Sequence, residues 1–132
     1  MTEELTYFGS SLARAAADLL REAGLLVNLD EKWIPSANMP DYEYFLLRSV
    51  GGSSPGVVIP LGVSELERQV TLADQVQEFI QEELRALGRS AAWPECPDHP
   101  NAHPLRPEIV DGAATWIRYK THCPIKPLRA FA

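Results

Sequence analysis

The sequence lacks the features that would place it in several large classes of protein. It has 132 residues but only 2 cysteines, too few for the disulfide framework of a small secreted domain. No stretch approaches the ~18 consecutive apolar residues of a membrane-spanning helix. The N-terminal segment MTEELTYFGSS opens with acids and has no basic region followed by an apolar run, so it predicts no secretory signal. We therefore expect a protein of the cytoplasm with no membrane partner.

Positive charge is scarce in the first two thirds of the chain. Residues 1–90 hold 7 basic and 14 acidic residues, whereas residues 91–132 hold 5 basic and 4 acidic ones. Phosphate contacts need clustered Lys and Arg, so this balance argues against nucleic acid as the partner and favours a basic protein surface. With 45% apolar residues, a chain of this length can bury a core without cross-links.

Two segments have the apolar period of amphipathic helices. The segment SSLARAAADLLREAG predicts a helix that Ser10 or Ser11 caps and Gly24 ends. TLADQVQEFIQEELRALG predicts a second helix that starts at Thr71, with Asp74 completing a capping box, and ends at Gly88. The preceding SELERQV fits either a helical turn or a strand. The charged face of the second helix fits a solvated surface or an acidic docking surface; it carries Asp74, Glu78, Glu82 and Glu83.

Short apolar and aromatic segments between turn formers predict strands. They are LLVNL (25–29), YEYFLLRSV (42–50) and GVVIPL (56–61), with a proline-containing loop at 31–41 in which Trp33 is a packing residue. Asp111-Gly112 suits the positive dihedrals of a hairpin turn. We predict an α+β protein: two amphipathic helices packed on a small, mainly antiparallel sheet (residues 1–90), then a zinc-ribbon-like Cys/His hairpin appendage with a basic tail (residues 91–132).

The segment WPECPDHPNAHPLRP (residues 93–107), here called the knuckle, holds the candidate site. In Cys96-x2-His99 a tight turn lets sulfur and imidazole point at one ion, a pairing that suits Zn²⁺. His103 is a candidate third ligand, and the hairpin returns Cys123, or alternatively His122, as the fourth. Two other interpretations stay open: a proline-stiffened connector without metal, and a disulfide between Cys96 and Cys123.

The knuckle carries a resemblance to a known group. WPECPDHPNAHPL, preceded by LADQVQEFIQEEL and followed by DGAATW, resembles a group of small uncharacterised proteins from actinobacteria over roughly residues 70–117. In that group an amphipathic helix leads into a Pro-Cys-Pro-x-His-Pro segment, a hairpin and a Trp-x-Cys-Pro-like element. This chain departs after Trp116, because Arg118 stands where the second cysteine of the group would fall. The resemblance implies a metal site only if Cys123 replaces that cysteine, and it implies no activity.

Three functions follow as hypotheses. The first is a non-catalytic protein-interaction or adaptor protein of the bacterial cytoplasm, with or without a structural zinc ion, for which a homodimer stays open. The second is a small metal- or thiol-dependent enzyme that uses Cys96, His99, His103 and Cys123. The third is a nucleic-acid-associated protein that acts through the basic tail, in which charges alternate with aromatic rings. That tail contains Arg118, Tyr119, Lys120, Lys126, Arg129 and Phe131.

Overall fold

A computed structural model describes residues 10–37, 39–51 and 53–128. Helix α1 spans Ser11–Glu22, and the Ser10 side chain caps it by accepting a hydrogen bond from the Ala13 N–H. Gly24 follows with a φ of 76°, the left-handed conformation that ends many helices. Both local predictions for this helix are confirmed. Among the described residues, no helix has the length and apolar character needed to cross a membrane.

Helix α2 spans Glu65–Ala86 and begins six residues before the predicted start. Its cap is Ser64, whose side chain accepts from the Glu67 N–H while the Glu67 carboxylate accepts from the Ser64 N–H. This capping box satisfies two amides that would otherwise lack partners, and it makes Ser-x-x-Glu the start of the helix. The prediction that Thr71 and Asp74 form the cap is wrong, because both residues lie inside the helix.

The strands of the described residues form three small antiparallel sheets, where the sequence predicted one sheet and a C-terminal hairpin. The LLVNL strand is largely wrong, because only Leu29 of that segment belongs to a strand. The strands at 42–50 and 56–61 are confirmed in shortened form, and so is the hairpin at Asp111-Gly112, where both residues have positive φ. The first sheet contains β1 (Leu29–Asp30), β2 (Tyr42–Leu47) and β3 (Gly56–Pro60); the second β4 (Glu95–Cys96) and β5 (His99–Pro104); the third β6 (Arg106–Val110), β7 (Ala113–Ile117) and β8 (Pro124–Pro127).

One cluster of buried side chains contains residues from both helices and from the sheets that they pack against. It includes Leu19 of α1, Phe45 of β2, Ile80 of α2 and Trp116 of β7. Trp116 is 1% exposed and meets the ring of Trp93 edge to face, with the ring centroids 5.8 Å apart. The described residues after position 90 thus share buried contacts with those before it. The division of the chain into residues 1–90 and residues 91–132 stays a prediction.

Part of the predicted basic tail belongs to a strand. β8 pairs with β7, and Leu128 is buried in the core beside it. The guanidinium of Arg106 lies 4.6 Å from the centroid of the Tyr119 ring, which therefore stacks within the protein. Arg129 and Phe131, the other tail residues singled out in the sequence, lie outside the described residues.

Candidate metal centre

The knuckle folds back on itself through a short, irregular pair of strands. β4 and β5 are antiparallel, with Cys96 opposite His99 and Glu95 opposite Pro104. Two adjacent residues of β4 are therefore paired with residues that lie five positions apart in β5. In a straight strand, residues 99 and 103 would be about 13 Å apart. The irregular register instead brings the rings of His99 and His103 to 5.2 Å between centroids. The bulge in β5 therefore creates the site.

Three of the predicted ligands meet in this fold. The ligand atoms of Cys96, His99 and His103 all lie within 4.8 Å of one another. Cys96 is buried, His103 is half-buried and His99 is exposed. Among the described residues, no other group of three His, Cys, Asp or Glu side chains has this geometry. The site lies at the protein surface with its sulfur on the inner side.

The distances suit a small tetrahedral ion. Bond lengths to zinc of about 2.3 Å for sulfur and about 2.1 Å for nitrogen place tetrahedral S and N ligands about 3.6 Å apart. Cys96 Sγ and His99 Nδ1 are 3.9 Å apart. The His103 atom is at most 4.8 Å from each of them, so closing all three on one ion requires side-chain movement of about 1 Å. His103 Nδ1 is buried and has no hydrogen-bond partner in the part of the chain that the structure describes, which leaves a ring nitrogen free for an ion.

The surroundings of Cys96 favour its thiolate, the form that binds metal. The His99 side chain contributes most to lowering the pKa of the Cys96 thiol below its ordinary value. The backbone N–H groups of Asp98 and His99 and the nearby guanidinium of Arg118 act in the same direction, whereas burial opposes them. A Cys–His pair is also the arrangement of a thiol nucleophile. Cys96 is 0% exposed, however, so a substrate has no access to its sulfur in this conformation.

Arg118 lies where the resemblance places a second cysteine, and it contacts the same knuckle. Its guanidinium donates a hydrogen bond to the Asp98 carboxylate, in the turn between Cys96 and His99. The Arg118 Nε is buried and has no acceptor among the described residues. The positive charge of Arg118 helps to lower the pKa of the Cys96 thiol, as a bound metal ion would.

The predicted fourth ligands lie in a neighbouring turn. Cys123 and His122 are not part of the three-residue group. The turn is closed by two hydrogen bonds: the His122 N–H donates to the Arg118 carbonyl, and the Arg118 N–H donates to the Cys123 carbonyl. Cys123 is exposed, and His122 Nδ1 lies 3.4 Å from a carboxylate oxygen of Glu108. Cys96 and Cys123 are both free thiols, so the structure does not contain the disulfide that the sequence left open.

Gln77 of α2 positions the knuckle and was not recognised in the sequence. Its side chain is 6% exposed, and its Nε2 donates to the carbonyls of Trp93 at 3.1 Å and Leu105 at 2.6 Å. The Leu105 N–H donates in turn to the Pro94 carbonyl. The two ends of the knuckle are thus held together and against the helix. The sequence signal was a glutamine among the apolar positions of α2, a side chain that needs polar partners when it is buried.

Comparison with known proteins does not assign this chain to a family. No family model matches the sequence, and no curated protein or solved structure matches it either. The function is therefore argued from the contacts of the chain itself.

Proposed function

We propose that this is a non-catalytic protein-interaction protein whose knuckle binds a structural zinc ion through Cys96, His99 and His103. The observation that carries the proposal is the convergence of one sulfur and two imidazoles within 4.8 Å, with the sulfur fully buried. Structural zinc sites use this mixture of ligands and are closed to substrate. A buried thiolate beside a metal fits a role in stability better than a role in catalysis.

We assign the fourth ligand position to Cys123. It belongs to the same closed turn as Arg118, and the Arg118 side chain already reaches the knuckle. The Cys123 side chain is exposed, so it can change rotamer without opening the core. With zinc bound, Arg118 retains its ion pair to Asp98 and supports the thiolate from the second coordination shell.

A structural ion would link the knuckle to the hairpin turn, and its binding energy would contribute to folding. A ligand that binds only the native state stabilises it by about 4 kcal/mol when free ligand is at about 1,000 times its Kd. The acidic balance of residues 1–90 supports a basic protein partner. In this proposal the metal keeps the fold rigid while another surface binds the partner.

The test is the zinc content of untagged protein purified without chelator, measured by elemental mass spectrometry. We expect close to one zinc per wild-type chain, and loss of zinc together with a lower Tm in Cys96→Ser. The matched variant Cys123→Ser should bind zinc more weakly but not lose it, because three ligands remain. Metal-free wild-type protein with its circular dichroism intact would refute the zinc site. Equal zinc content in wild type and Cys96→Ser would refute it as well.

A further inference from the structure

A groove lies between the C-terminal half of α2 and the turn that joins β2 to β3. It has a volume of about 500 Å³, within the range of ligand-binding clefts. Its floor is apolar and is formed by the buried side chains of Leu47, Val57 and Phe79. Pro55 and Ala86, which are exposed, also line the groove. The groove therefore offers apolar contact area at the surface.

The wall formed by α2 is acidic. Glu78, Glu82 and Glu83 line the groove, and its described lining residues include no Lys or Arg. Glu83 accepts a hydrogen bond from the Ser49 hydroxyl at 2.6 Å, and Glu82 has an exposed ion pair with Arg85 at 3.4 Å. Glu78 has no hydrogen-bond or ion-pair partner among the described residues. Glu78 and Glu82 are also four positions apart, where two like charges destabilise a helix by about 0.2–0.5 kcal/mol.

The third component of the groove is an unpaired strand edge. The Leu47 N–H donates to the Pro55 carbonyl, and hydrogen-bonded pairs alternate along an antiparallel ladder, so the backbone groups of Val57 face β2 and those of Gly56 and Val58 face outward. The side chain of Gln75 satisfies Val58 by accepting from its N–H at 3.1 Å and donating to its carbonyl at 2.9 Å. Gly56, which also lines the groove, receives no such cover from Gln75. An extended segment in the groove can therefore pair with the backbone of Gly56.

We propose that this groove binds an extended segment of a partner protein that carries Lys or Arg side chains alternating with apolar ones. In an extended segment, alternate side chains point to opposite sides. One set would contact the apolar floor, and the other would reach the carboxylates of Glu78, Glu82 and Glu83, while the backbone pairs with Gly56. The inference rests on the proposed function, because it names the partner of the proposed protein-interaction protein. It uses no residue of the zinc site.

The probe is a short fluorescein-labelled peptide of alternating lysine and valine, titrated by fluorescence anisotropy against protein of known zinc content. We expect saturable binding that weakens as salt rises, because exposed charges are screened. The double variant Glu78→Gln/Glu82→Gln should bind about tenfold more weakly, at about 0.7 kcal/mol for each lost charge contact. The matched control is Glu65→Gln/Asp74→Gln, which removes the same charge from the same helix outside the groove and should bind as wild type does. Backbone amide NMR shifts should change at Gly56 and along the C-terminal half of α2.

Several results would overturn the proposal. A peptide with glutamate in place of lysine that binds as tightly would remove the charge argument, and equal weakening by the two double variants would remove the site. Amide shifts confined to β6, β7 and β8 would move binding to another surface. Self-association in sedimentation that Glu78→Gln/Glu82→Gln abolishes would make a second copy the occupant instead. Peptide binding by wild-type protein that contains no zinc after purification would refute only the zinc site. Zinc-loaded protein that does not bind the peptide would refute only the groove.

Discussion

The substitution Gln77→Met tests whether the contact between α2 and the knuckle holds the candidate site in place. Methionine has a similar length and a similar helix propensity, so the change removes the amide while it preserves packing and helix formation. It deletes the hydrogen bonds to the carbonyls of Trp93 and Leu105. These two bonds connect residues 16 and 28 positions apart in the chain, so their loss acts on tertiary structure.

The expected magnitude follows from burial. A net hydrogen bond contributes about 1 kcal/mol, and a buried carbonyl left without a partner adds a penalty of about 1–3 kcal/mol. Trp93 keeps a weak donor in Gln81, whose Nε2 lies 3.5 Å from the same carbonyl, so the penalty falls mainly on Leu105. Adding the lost bond to Leu105 and the penalty for its unpaired carbonyl, we expect Gln77→Met to lower the free energy of unfolding by about 2–4 kcal/mol. For a chain of this size that is a decrease of about 10 °C in Tm.

The measurement is urea unfolding followed by tryptophan fluorescence and circular dichroism, together with zinc affinity by competition with a chelator. Gln81→Met is the matched control, one helical turn further along, and should cost less than about 1 kcal/mol because its hydrogen bond is long. Zinc affinity should fall in Gln77→Met and remain near wild type in Gln81→Met. Equal stability of the two variants, or unchanged zinc affinity in the first, would refute the role of Gln77 as the residue that positions the knuckle.

Two further predictions concern the first sheet. The backbone N–H of Lys32, and then the guanidinium of Arg48, holds the pKa of Asp30 below its ordinary value, while burial opposes them. The stability advantage of wild type over Asp30→Asn should therefore be constant above about pH 3.9 and shrink as the pH falls through the lower folded-state pKa. Urea titrations across the acid range measure this difference. An advantage that grows in acid would contradict the predicted direction of the pKa shift. Gly56→Ala would place a Cβ in a steric clash with the indole of Trp33 and should cost about 1–3 kcal/mol in thermal or urea unfolding. Gly62→Ala, which meets nothing within 4 Å, should cost close to nothing, and equal costs would contradict the crowding.

Features that depend on neighbouring residues were predictable. The α1 cap at Ser10 and the turn at Asp111-Gly112 depend on hydrogen bonds and dihedral angles within a few residues. The start of α2 was missed because Thr71 and Asp74 offered a second plausible cap, and because the first turns of the helix add only the partly buried Leu66 and Val70 to the apolar face. The LLVNL strand was overextended because a short apolar run indicates burial but not pairing.

The candidate site was also predictable where it depends on neighbouring residues, and not where it depends on distant ones. Cys96-x2-His99 was predictable because a single turn sets the distance between the two side chains. The approach of His103 depends on the irregular register of β5, which no local pattern specifies. The interaction of Arg118 with Asp98 and the support from Gln77 join segments 20 and 28 residues apart.

The sequence by itself determined the acidic balance, which follows from composition. It also determined the two helical segments, the hairpin turn and two candidate metal ligands, Cys96 and His99, because each follows from residue types within one or two turns of chain. Only the tertiary structure decided that one buried core joins the helices to the C-terminal sheet, that His103 joins Cys96 and His99, and that α2 and β3 leave an acid-lined groove. These features depend on which surfaces are buried together, and that is set by packing of the whole chain and by the pairing of buried polar groups across it.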